Sequence, residues 1–157
     1  MGWIERVLPL GGGGSAKDPK VQAYLQAALP LVERIETEYV VWREAIGAEA
    51  GRSLEGAQDP EAGHTGVFLW RTAEPVRLLA ALSPPPPVRR LHNDLLQAAT
   101  LRYRAAQMVK EALELAPLRD PSGALQDATS LLEDADARLA LARAAASRLT
   151  TEASVQP

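Results

Sequence analysis

The side chains able to do chemistry in this chain are few, and their spacing decides most of what they can build. The 157 residues include 2 histidines, 20 Asp and Glu, and no cysteine. Without a thiol there is no disulfide, no thiolate zinc centre and no cysteine nucleophile. One Glu-x-x-His occurs, Glu61 to His64, the pattern that dinuclear metal bundles repeat on two of their helices. Here it reads EAGH inside a glycine-rich stretch, where that spacing does not hold both side chains on one helical face. His92 has no Glu three residues before it, and a three-histidine site is excluded by the count alone. Its place beside Leu91 makes His92 a boundary histidine, with one ring nitrogen bonded to a neighbour.

The acid pairs Glu33 and Glu36, and Glu111 and Glu114, are spaced to share a helix face and in principle to cradle magnesium. They alternate with Arg34, Arg43 and Lys110, as solvated faces do. A metal-dependent hydrolase using those faces and the loop 47–65 is therefore the runner-up reading. Gly11 to Ser15 is no phosphate loop, because no strand precedes it and no Lys-Ser or Lys-Thr closes it. Neither a Ser-His-Asp arrangement nor a dinucleotide fingerprint can be read from the spacing. The expectation is a non-enzymatic protein with no metal and no cofactor.

The elements that carry these residues are written in the apolar periodicity. The chain is 46% hydrophobic but only 4% aromatic, a palette of Ala, Leu and Val that favours helices. Asp18-Pro19 reads as a helix start, with Asp as the cap and Pro in the first turn. The set Val21, Tyr24, Leu25, Ala28, Leu31, Val32, Ile35, Tyr39, Trp42 and Ile46 predicts one amphipathic helix over 19–46, with Pro30 as a kink. A loop over 47–65 follows, then a shorter helix over 66–82 that Pro75 kinks or restarts. Pro84 to Pro87 form a rigid corner. A third helix spans 88–116, and Asp120-Pro121 starts a fourth that runs to about 151. The short connection makes the last two an antiparallel hairpin. The predicted fold is an all-α, up-down-up-down four-helix bundle over 18–152, with three long helices and one shorter one. Residues 1–17 form a tethered segment, and 153–157 a disordered tail.

Three further expectations concern particular side chains. Phe68, Trp42 and Trp70 are read as core aromatics. Arg102 breaks the alanine stripe of the third helix, and antiparallel pairing about the turn sets it opposite Asp136, with Glu133 one turn away. The prediction is a partly buried ion pair that fixes hairpin register. The bundle order also gathers Arg77, Arg89, Arg90, Arg143 and Arg148 at one pole, while Glu111, Glu114, Asp120, Asp127, Glu55, Asp59 and Glu61 gather at the other. Arg89 and Arg90 stand at a helix N-terminus, where the macrodipole disfavours cations, so the pair needs another reason: a carboxylate neighbour in Glu152, or an anionic partner.

Outside the bundle, Trp3, Ile4, Val7 and Leu8 form an apolar face opposite Glu5 and Arg6, followed by GGGGS. So short a segment is stable as a helix only when buried. Three readings follow: an adhesive latch that docks onto a protein partner, another copy or its own bundle; a contact with an anionic membrane, supported by the basic pole; or a grafted peptide on a designed spacer. The net charge of −3 argues against nucleic acid as a partner. No secretory leader or membrane span is legible, so the expected location is cytoplasmic, with membrane-peripheral attachment as the variant.

Overall fold

Asp18 accepts a hydrogen bond from the Lys20 N–H at 2.8 Å, and with Pro19 in the first turn it starts α1 (Pro19–Ala45). In the computed structural model, residues 18–48, 53–58 and 63–155 are described, the side chains from 150 onward excepted. Three helices follow α1: α2 (Gly63–Ala81), α3 (Arg89–Leu115) and α4 (Ser122–Val155). Among the described residues there is no strand. The helices pack on one another as an all-α four-helix bundle, and α3 against α4 is the most extensive of the pairings. Residues 1–17, including the Trp3, Ile4, Val7 and Leu8 face, lie outside the described residues, as do Asp59 and Glu61.

The antiparallel order is visible in how the core divides. One buried group joins the start of α1 (Val21, Leu25), the end of α2 (Leu79), the start of α3 (Leu91, Leu95) and the far part of α4 (Ala142, Leu149). The other joins Tyr39, Trp42 and Ile46 to Phe68, Ala105, Val109, Leu125 and Leu132. Alanine supplies most of the seam between α3 and α4, including Ala98, Ala105, Ala112, Ala128, Ala135 and Ala142, each under a tenth exposed. Side chains this small let two helix backbones approach toward the short end of the ~8–10 Å range. The volume missing there is supplied from α1 and α2, where Tyr39, Trp42 and Phe68 meet edge-on or stacked.

Several boundaries differ from those predicted. The second helix does not restart at Pro75, and α1 is one helix through Pro30 as expected. Each proline removes one helical hydrogen bond, and the surrounding contacts hold the helix on either side. The start of α2 is Gly63, three residues early, because Thr65 is buried and its hydroxyl accepts the Trp42 indole N–H at 2.9 Å. At its other end α4 continues to Val155, so 153–155 belong to the helix and not to a tail.

Of the stretch after α1, the described residues 46–48 and 53–58 pack against the bundle end. Gly47, at φ 77°, takes the left-handed position that ends the helix, with its N–H on Glu44 O and the Ala48 N–H on Arg43 O. Leu54 is fully buried in a 3₁₀ turn, and its N–H donates to Thr129 Oγ1 of α4 at 3.2 Å. The corner Pro84 to Pro87 ends in a second 3₁₀ turn that buries Val88.

Trp70 corrects the expectation that it belongs to the core: it is 78% exposed. The buried face of α2 carries Thr65, Phe68, Thr72, Pro75 and Leu79, and position 70 lies about 200° around the helix from Phe68. With Val41 and Val67 it forms an exposed apolar patch near the Leu54 end of the bundle. The two tryptophans should therefore separate cleanly in urea unfolding. Trp42→Ala should lose ~3–5 kcal/mol, as large aromatic truncations in a packed core do. Trp70→Ala should stay within about 0.5 kcal/mol of the parent.

Candidate functional site

Arg102 is 6% exposed on the α3 seam, and its charge is met from two directions. Its Nη1 donates to Glu36 Oε1 of α1, and its Nη2 to Asp136 Oδ1 of α4 at 3.2 Å. The guanidinium also lies over the Tyr39 ring, 3.8 Å from Cζ to the centroid. Beside it, Arg43 donates to the Tyr39 hydroxyl at 3.0 Å and to Ala48 O at 3.3 Å. Burial raises the Tyr39 pKa, and the cations Arg43 and Arg102 oppose that rise. The Arg102 cation is paired through both Nη atoms while its buried Nε has no partner among the described residues, and the phenol is held neutral.

The predicted partner Asp136 is in place, but Glu133 is exposed and pairs with no described side chain. Glu36 of α1 takes that place, where the sequence read it as part of a solvated face. Antiparallel bookkeeping can align α3 with α4, whereas the approach of α1 over that hairpin is a tertiary matter. The acid pair on α3 fares similarly, since Lys110 holds Glu114 at 2.7 Å. His64 falls in the first turn of α2 and is exposed. Among the described residues no three His, Asp or Glu side chains gather as a metal site requires.

At the opposite end from Leu54, α1 and α3 are joined by a buried Tyr24–His92 contact, Oη to Nδ1 at 2.9 Å. Burial lowers the His92 pKa and raises that of Tyr24, so both rings are neutral and the phenol donates. Above Tyr24 lies an open groove of about 450 Å³. One wall is Lys20, Ala23, Tyr24 and Ala27 of α1, and the other is Leu82, Ser83, Pro85 and Pro86 of the corner. The groove exists because Ala23 and Ala27 are small and outward on α1, while the prolines hold the opposite wall extended. No sequence signal marks it, because the alanine pair and the proline run lie far apart in the chain and meet only in the fold.

The basic pole surrounds this end. Arg77, Arg89, Arg90, Arg143 and Arg148 are all exposed, and none forms an ion pair with another described side chain. The first turn of α3 holds Arg89 and Arg90 and contains no acid of its own. Of the acids near that end, Asp94 is already engaged by Arg138 at 3.6 Å.

The fold and this end of it define a class, the all-α four-helix bundle, and similarity adds no narrower one. No protein-family model, curated protein or solved structure matches the chain. No helix among the described residues is long and apolar enough to cross a membrane.

Two outcomes follow. Arg102→Ala should destabilise the bundle toward the lower end of the ~3–5 kcal/mol seen for broken buried pairs, because Glu36 and Asp136 can rehydrate. Glu133→Ala should be silent in the same thermal melts. For His92, the unfolded chain takes up a proton near the ordinary value of 6.5 while the folded chain resists it. Stability should therefore decline as the pH falls through about 6.5 toward the lower folded value. Urea midpoints at about pH 7.5 and about pH 5 should differ less in His92→Gln than in the parent, and equal differences would refute the assignment.

Proposed function

We propose that the protein is a non-enzymatic interaction module of the cytoplasm, whose basic pole and apolar N-terminal segment together form its recognition surface. The observation that carries this reading is the pair Arg89 and Arg90, exposed in the first turn of α3 without a described counter-charge. Cations at that helix end oppose the macrodipole, at a typical cost of 0.3–1 kcal/mol each. An anionic surface on a partner offsets that cost. The three other arginines widen the same positive face, and the groove adds apolar area within it. Electrostatics of this kind steer encounter, while apolar anchors such as Trp3 supply most of the affinity. The acids that a hydrolase would need support the same view, since Glu36 and Glu114 are held in ion pairs.

Proximity labelling in the native cell tests this directly, with a biotin ligase fused to the C-terminus. The full chain should mark a defined set of neighbours. That set should be lost both in a chain starting at Ala16 and in a variant with all five arginines changed to Gln, provided each keeps its helical circular dichroism. Labelling unchanged by both alterations would overturn the proposal. If the lost neighbours are membrane proteins alone and the full chain floats with phosphatidylserine vesicles, the anionic surface is a membrane.

A further inference from the structure

We infer that the groove between α1 and the proline corner is the seat of the chain's own residues 3–8, which dock there in cis through Trp3, Ile4, Val7 and Leu8. The inference rests on the reading of that segment as adhesive and assigns it an address on the bundle.

Reach narrows the choice of address. Residues 9–18 join the segment to α1, and a glycine-rich tether of that length has a root-mean-square span of about 16–19 Å. The groove wall on α1 runs from Lys20 to Ala27, which is about 10 Å of helix beginning beside the point of attachment. Residues 3–8 in helical form extend about 8 Å, so segment and groove agree in length. The exposed patch of Val41, Val67 and Trp70 is far less accessible, since Val41 lies about 35 Å along α1 from Asp18.

Chemistry agrees with reach. Tyr24 turns its hydroxyl to His92, so its own demand for a hydrogen bond is met inside the bundle and it adds ring surface to the groove. Ala23, Ala27, Leu82, Pro85 and Pro86 supply the remaining apolar wall, which an indole fills well. Lys20 stands at the rim with no ion pair to a described side chain, and Glu5 is the acid the segment brings to it. A short tether gives an effective concentration in the millimolar range, so a contact too weak to persist between separate molecules is occupied in cis. The latch and an external partner then compete for one segment, which makes the recognition surface self-masked.

The absence of native cysteine makes disulfide trapping a clean test. Full-length protein carrying Val7→Cys with Ala27→Cys should close an intramolecular disulfide in glutathione buffer at least tenfold faster than two reference pairs. The first reference is Val7→Cys with Gln26→Cys, one residue away on α1 and off the groove. The second is Val7→Cys with Gln97→Cys, in the separate groove between α3 and α4. Ala27, Gln26 and Gln97 are exposed, so the fold should survive each substitution. Equal rates for the three pairs, preference for Gln97→Cys, or a disulfide-linked dimer as the main product would each overturn the cis seat. If the rates are equal while neighbour labelling still depends on residues 1–15, the cis seat fails and the interaction reading stands.

Discussion

One guanidinium ties the bundle together. Arg102 joins α3 to α1 through Glu36 and to α4 through Asp136, and it covers the Tyr39 ring as it does so. The layer also marks where the core divides, with Ile35, Ala99 and Ala135 bounding one apolar group and Tyr39, Ala105 and Leu132 bounding the other. On α2, the same level is filled by Thr72, buried and bonded to the Phe68 carbonyl, so no polar atom of that side chain is stranded. An alanine seam slides easily, because one small side chain fits as well as the next. A buried cation with acceptors on two neighbouring helices meets both in a single register, and a slip leaves it unpaired in a medium of low polarity.

The two ends of the bundle are finished differently. At one end Leu54 enters the core, and Arg43, Ile46 and Thr129 bond backbone groups of Ala48, Gln58 and Leu54. At the other, the proline corner turns the chain without covering α1, and the groove over Tyr24 is what remains. Arg77, Arg89, Arg90, Arg143 and Arg148, which form no ion pair with another described side chain, sit at this second end. The buried turn and these exposed arginines are thus placed at opposite poles of the bundle.

Parts of this site were legible in the residues themselves. Arg102 announces itself as a charge on an apolar stripe, and the short hairpin between α3 and α4 points it to Asp136. Glu36 does not announce itself, because it sits on the mixed face of α1 among other acids and gains its role only when α1 crosses the hairpin. Trp70 misleads for a related reason: an aromatic in a helical run reads as core, and only the packed face of α2 shows that it points away. The loop 47–65 looks empty of periodicity, yet a single leucine within it closes the bundle end.

What the sequence determined by itself is the set of helices, their approximate limits and their antiparallel order. These depend on local matters: Asp-Pro caps, apolar spacing, proline corners and short connections, all of which act within a few residues. What only the tertiary structure decided is which side chains from different helices meet. The Glu36–Arg102 pair, the Trp42–Thr65 bond that starts α2 early and the groove between Ala27 and Pro85 each join residues far apart in the chain. Their formation depends on the rotation and offset of whole helices, which no local pattern encodes.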